Sequence, residues 1–373
     1  MKSWLAARFE VAHGAHRTIV PMEGMRGLAV LLVFLTHYAG MVRPWLAEGT
    51  ATAGLTRAVH ALGHSGVDLF FVLSGYLIYG MLIQRARPLL PYLRARARRI
   101  YPAFLAVFAG YLVLSFLFPA ESKLPADLGA AALLVVQNLL FLPGLFEVTA
   151  IITVAWSLSY EVFYYLVTPT LVAVLGLRRW RPRSRIAATL TASVVAFALV
   201  ALYGGPVRLL LFAAGILLYD LRLVLGSRRV PALGLAATAL GILAAPVLTD
   251  ALGLPVWVQF AAMFGLFLYA CLDAFTGEGP TARLFSITPL RWFGNMSYSY
   301  YLIHGLSLKA SFLVLAEVHQ PVGESGALLW FGLLLPAFLA TLPASVGLFL
   351  LVERRFSLGR PKATRDVSQV EPA

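Results

Sequence analysis

The stretch Met25-Arg26-Gly27-Leu28-Ala29-Val30-Leu31-Leu32-Val33-Phe34-Leu35-Thr36-His37-Tyr38-Ala39-Gly40-Met41-Val42 decides the fold class of this chain. It is long and apolar enough to cross the hydrocarbon core of a bilayer as a helix, yet it carries an arginine and a histidine. An ionisable side chain inside a span costs about 2.5 kcal/mol or more, so those that persist usually face the bundle interior and mark function. Arg26 and His37 are eleven residues apart. At about 100° per residue this leaves about 20° after three turns, so the two share one helix face and stand about 16 Å apart along the axis. Arg26 sits at one mouth of the span, where snorkelling also accounts for it. His37 lies past the midplane with no polar partner in its own turn, which favours a functional role.

Similar apolar runs recur along the 373 residues, at 66–84, 100–118, 153–176, 186–203, 207–225, 231–248, 255–275, 292–316 and 325–352. With 60% hydrophobic and 13% charged residues, the chain has roughly half the charge of a soluble domain, which excludes a soluble enzyme. The net charge of +13 sits in short clusters between the runs, which argues for a membrane protein and against nucleic acid as a partner. The lone cysteine, Cys271, permits no intrachain disulfide. The expected architecture is all-α, a polytopic helical bundle of about ten transmembrane helices. Residues 1–20 read as a cytoplasmic lead-in without a removable signal peptide, 21–356 as the transmembrane domain, and 357–373 as a polar, disordered cytoplasmic tail.

Charge orients the bundle, because Lys and Arg accumulate in cytoplasmic loops. With ten spans and both termini inside, 25 of the 30 basic residues fall on the cytoplasmic side, leaving Arg43, Arg57, Lys123, Arg208 and Lys309 outside. An eleventh apolar run, 129–143, would invert every later loop if it crossed. It therefore reads as a short interfacial or re-entrant helix on the outer side, ended by Pro143-Gly144. A bacterial inner membrane is the expected location.

Four further stretches carry polar groups of interest. In Gly66-Val67-Asp68-Leu69-Phe70-Phe71-Val72-Leu73-Ser74-Gly75, Asp68 reads equally as an N-terminal helix charge, and Ser74-Gly75 equally as a packing contact. Trp156-Ser157-Leu158-Ser159-Tyr160-Glu161 places Glu161 about 12 Å below the outer edge, near the depth of His37. A carboxylate there could fix the imidazole tautomer and stabilise its protonated form. The run Tyr92-Leu93-Arg94-Ala95-Arg96-Ala97-Arg98-Arg99 is a topology signal, and it also suits a multiply phosphorylated donor, with Arg96 and Arg99 on one helix face. Ser297, Tyr301 and His304 form a polar stripe that helix-to-helix hydrogen bonding largely explains. His60 and His64 are spaced i, i+4 but lack a third ligand nearby in sequence, so no metal is expected.

Arg26-x10-His37, the Gly66 to Gly75 block, Arg96-x-x-Arg99-Ile100-x-Pro102, Trp156-Ser157-Leu158-x-x-Glu161 and Ser297-Tyr298-Ser299-x-Tyr301-Leu302-x-His304 stand in a characteristic order. From about residue 20 to 355 the chain resembles membrane acyltransferase family 3, the group that includes O-antigen and exopolysaccharide acetylases. The resemblance implies transfer of an acyl group, commonly acetyl, from cytoplasmic acyl-CoA to a hydroxyl of a carbohydrate, a lipid-linked glycan or a related acceptor. It implies that His37 is catalytic, that Arg26, Arg96 and Arg99 serve the donor, and that Glu161 belongs to the site. Unlike in larger members, no fused esterase-like domain is expected after the last span. His37 could act as general base or carry the acyl group itself, and Ser74, Tyr301 or a backbone N–H are candidates for oxyanion stabilisation. The competing class is a proton-coupled transporter or flippase of a lipid-linked sugar, since intramembrane His and Glu also relay protons.

Overall fold

The computed structural model describes residues 2–11, 19–226, 228–318 and 326–358. Among them there is no β-strand, and the α-helices in chain order are α1 (Lys2–Phe9), α2 (Val20–Val42), α3 (Ala51–Gly63), α4 (Ser65–Gln84), α5 (Leu89–Leu117), α6 (Leu128–Leu139), α7 (Trp156–Val174) and α8 (Pro182–Tyr203). There follow α9 (Leu210–Leu225), α10 (Gly234–Ala244), α11 (Val256–Thr276), α12 (Pro280–Phe285), α13 (Thr288–Asn295), α14 (Ser297–Val318) and α15 (Ala327–Leu348), the last continued by a π-helical turn, Phe349–Ser357. The chain is an all-α polytopic membrane bundle.

Among the described residues eight helical segments are long and apolar enough to cross a membrane, counting α3 and α4 as one continuous stretch. The other two expected spans form helices that fall short of that measure: α7 has 19 residues and carries Glu161, and α9 has 16. The helix α6, at 12 residues, rises only about 18 Å and is too short to cross. It ends at Leu139, four residues before the expected stop. The chain turns at Phe141 (φ 55°), whose ring packs on Tyr101 and Phe104, and again at Gly144 (φ 89°). An aromatic anchor therefore ends this helix ahead of Pro143.

Two boundaries shift for local reasons. The first span begins at Val20, where Pro21 occupies the first turn and needs no hydrogen-bond acceptor for its nitrogen. The expected span 292–316 is broken at Met296 into α13 and α14. The lead-in helix α1 docks on the bundle: Phe9 stacks on Trp292 and Phe349, and its carbonyl accepts from Asn295 at 3.0 Å. Residues 359–373 of the expected tail lie outside the described residues.

The interior is built around α2 and α4, while α8 exposes Val194 and Leu202 to the apolar surroundings. Close approach at the α4–α9 crossing depends on two glycines. A Cβ on Gly75 would lie 2.2 Å from the Phe212 carbonyl oxygen, and one on Gly215 would lie 2.1 Å from that of Val72. Gly75 is thus the packing residue of its block. Arg185, one of the charges used above for topology, is buried and forks onto Asp220 at 2.5 and 3.0 Å, with Tyr79 donating to the same carboxylate at 2.9 Å. A buried charge pair needs such hydrogen bonding to offset desolvation.

Candidate active site

Helices α2, α4, α5, α7 and α14 converge on a cavity of about 140 Å³ at the end of the bundle where α2 begins. Arg26, Ser74, Arg96, Arg99, Glu161 and Tyr301 all line it, so six of the sequence-selected residues meet there. The spacing of Arg96 and Arg99 works because α5 starts at Leu89, carrying both on its early turns. Arg26 Nη2 donates to Ser297 Oγ at 3.1 Å. The Arg96 guanidinium lies over the Tyr165 ring at 5.7 Å and the Tyr92 ring at 5.9 Å. The Nε atoms of Arg26 and Arg96 are buried and make no hydrogen bond. Such orphaned donors are costly and suit a polyanionic ligand.

Arg99 is held differently. Its Nη1 donates to Glu353 Oε1 at 2.5 Å, and Glu353 Oε2 accepts the Ser299 N–H at 3.0 Å and the Ser299 hydroxyl at 2.5 Å. The Tyr298 ring supports the guanidinium from 5.4 Å. Glu161 faces the same arginines, and its Oε1 accepts from the Tyr165 hydroxyl and from Ser74 Oγ, the latter at 3.4 Å.

His37 does not line this cavity, and its expected pairing with Glu161 is not formed. Matching depth along two helices leaves their rotation and their neighbours open, and the neighbour of His37 proves to be α14. His37 Nδ1 lies 2.8 Å from the Val33 carbonyl oxygen and 3.3 Å from His304 Nε2, with the two rings edge to face. His304 Nδ1 lies 2.9 Å from the Tyr300 carbonyl oxygen. Carbonyl oxygens only accept, so both Nδ1 atoms carry protons. The His37 lone pair is thereby on Nε2, and the residue lines a second cavity, of about 300 Å³, which His60 and His64 also line.

Tyr301 and Val67 border both cavities and form the partition between them. Tyr301 donates to the Val154 carbonyl at 3.0 Å and contacts Ser157 Oγ at 2.7 Å. Ser74 gives its proton to Glu161, so neither hydroxyl has a free proton for an oxyanion in this arrangement. Asp68 is buried with no hydrogen bond, and Arg208 Nη1 stands 3.8 Å away. A third cavity of about 120 Å³, also reached by His37, contains Lys123 and Lys309. Burial and the Lys309 charge together lower the pKa of Lys123, in the loop after α5. Among the described residues no group of three or more His, Cys, Asp or Glu side chains could hold a metal ion.

A sequence profile described as an acyltransferase domain matches residues 20–350, nearly all of the bundle. The chain belongs to acyltransferase family 3. Similar proteins include the O-acetyltransferase OatA of Staphylococcus aureus, 28% identical over 195 residues, which cover 49% of this chain and 29% of OatA. The exopolysaccharide production protein ExoZ of Rhizobium meliloti is 28% identical over 321 residues, covering 82% of this chain and 92% of ExoZ. The chain thus spans less than a third of OatA and most of ExoZ. No solved structure matches it. In this member of the family the residue most clearly missed by sequence reasoning is Glu353. It is followed by Arg354-Arg355 and resembles a span-end charge, and its Arg99 partner is 254 positions away. Tyr165 was legible in principle, since it lies one turn beyond Glu161.

Proposed function

We propose that the chain is an integral membrane O-acyltransferase that moves an acyl group, acetyl in the first instance, from cytoplasmic acyl-CoA to a hydroxyl of a carbohydrate or lipid-linked glycan. The observation that carries the reading is the convergence of Arg26, Arg96 and Arg99 on one cavity, two of them with buried Nε donors left unpaired. Guanidinium groups bind phosphate oxygens through charge-assisted, often bidentate hydrogen bonds. With the donor's phosphates there, its pantetheine arm extends past Tyr301 toward His37, about 16 Å further along α2. The cluster of basic residues at that end is the cytoplasmic end by charge bias. Glu161 then serves as counter-charge to the arginine cluster while the site is empty.

At His37 the acceptor hydroxyl attacks the thioester carbonyl as Nε2 takes its proton. A C–O bond forms, the C–S bond breaks, and the departing thiolate recovers the proton from the imidazolium. The Nδ1 contacts to Val33 and His304 keep the ring in the tautomer this requires. The names of OatA and ExoZ, an O-acetyltransferase and an exopolysaccharide production protein, support an acetyl group and a carbohydrate acceptor.

The test is transfer or hydrolysis of acetyl-CoA by protein purified in detergent, with no ion gradient. Arg96→Ala should raise KM for the donor about tenfold or more, as expected for a charge-assisted contact worth about 1.5–3 kcal/mol. A protein that neither binds nor turns over acetyl-CoA, yet moves sugar lipids in a gradient, would replace the enzyme by the transporter.

A further inference from the structure

The five basic residues that stand against the charge bias are Arg43, Arg57, Lys123, Arg208 and Lys309. Carrying a Lys or Arg across the membrane runs against the normal distribution, so each calls for a use at its destination. Two have one within the fold. Lys123 donates to the Ala150 carbonyl and to Thr153 Oγ1, both at 2.8 Å, and Lys309 is paired with Glu121. The other three line a single cavity of about 320 Å³.

They reach it from well-separated parts of the chain: Arg43 just beyond α2, Arg57 on α3, and Arg208 on the 3-10 turn before α9. Among the described residues the guanidinium groups of Arg43 and Arg57 have no hydrogen-bond or ion-pair partner, and both side chains are exposed on the cavity wall. Arg208 has only the long 3.8 Å approach to Asp68, and its guanidinium is steadied by the Trp156 and Phe260 rings at 5.3 and 5.4 Å. Among the described residues Asp250 is the one carboxylate on the cavity wall, which leaves guanidinium charge in excess. His60 and His64 border both this chamber and the one into which His37 opens. Arg43 is 17 residues from Arg26, or about 26 Å along the helix direction, so this chamber lies at the opposite end from the donor arginines.

We infer that the acyl acceptor carries an anionic oxyacid group, a phosphate or a carboxylate, which Arg43, Arg57 and Arg208 hold so that a neighbouring hydroxyl reaches His37. The inference rests on the transferase reading above and adds the chemical class of the acceptor. An arginine fork matches the planar or tetrahedral oxygens of such a group, and a neutral sugar offers it no such partner.

The test uses the full chain in phosphatidylcholine nanodiscs, titrated calorimetrically with glucose 6-phosphate, glucuronate and methyl glucoside, and separately with acetyl-CoA. At least one anionic sugar should bind about tenfold or more tighter than methyl glucoside. In an Arg43→Gln/Arg57→Gln variant this advantage should vanish while acetyl-CoA affinity is unchanged. Both positions are exposed, so the fold should survive, and retained acetyl-CoA binding checks it. The stronger of phosphate and carboxylate names the acid. Equal affinity for all three sugars overturns the inference, as does a preference that persists in the double variant. Repeating the titration in phosphatidylglycerol discs separates sources: loss of sugar binding there would assign the arginines to a lipid headgroup and also overturn it. Failure of acetyl-CoA to bind would count against the transferase reading, whereas failure of the sugars alone counts only against the acceptor site.

Discussion

Replacing Glu353 by alanine asks whether a buried charge pair holds the arginine-lined cavity in shape. The carboxylate is fully buried and receives Arg99 Nη1 at 2.5 Å, the Ser299 N–H at 3.0 Å and the Ser299 hydroxyl at 2.5 Å. The Glu353→Ala change leaves all three donors without their acceptor. Removing one partner of a buried pair costs about 3–5 kcal/mol, most of it the penalty on the charge left behind. An unfolding entropy of about 2.1 cal/mol/K per residue over this chain is about 0.8 kcal/mol/K, so Tm should fall by roughly 4–6 °C. Cys271 is fully buried and is the only cysteine, so a thiol-reactive fluorophore reports unfolding of the detergent-purified protein directly. Glu353→Gln retains an acceptor for Ser299 and should lose only about 1–3 kcal/mol. An Arg99→Met/Glu353→Leu variant removes both charges and should recover most of the stability lost by Glu353→Ala, because apolar replacement of a whole buried pair is often neutral. A Glu353→Ala protein within 1 °C of the parent would refute the reasoning. So would a double variant whose loss equals the sum of the two single losses.

His37→Ala should lower acetyl transfer by at least about 100-fold with donor affinity unchanged. His304→Ala should lower kcat without raising donor KM, read by steady-state kinetics; equal effects on both would make His304 a general packing residue. Glu161→Gln should change the acetyl-CoA KM while kcat stays within about threefold, since Glu161 lines the cavity of Arg26, Arg96 and Arg99, the proposed donor site, rather than pairing with His37; a selective loss of kcat would restore the catalytic pairing. Reporter fusions near Arg181 and near Lys123 should report opposite sides of the membrane, and a same-side result would remove the ten-span topology.

The membrane-bundle class was legible in the sequence because its causes are local. Each apolar run must satisfy its own backbone inside lipid, and that requirement makes every span a helix whatever its neighbours are. The common face of Arg26 and His37 follows in the same way from helical periodicity within α2. The arginine pair on α5 was also legible, since residues three apart on a helix face the same side.

Which helices touch is a different kind of fact. The partner of His37 is His304, 267 positions away, and the acid holding Arg99 comes from the π-helical turn after the last span. Depth along a helix could be computed for Glu161, but its rotation could not, and rotation gave it to Tyr165 and Ser74 instead of His37. Likewise, charge counting placed Arg43, Arg57 and Arg208 on one side of the membrane, while only the packing of α2, α3 and the turn before α9 gathered them around one chamber. Helix formation in a bilayer is decided within a segment by backbone hydrogen bonding. Helix association is decided between segments by shape and by the pairing of the few buried polar groups, and that is where this protein's sites are made.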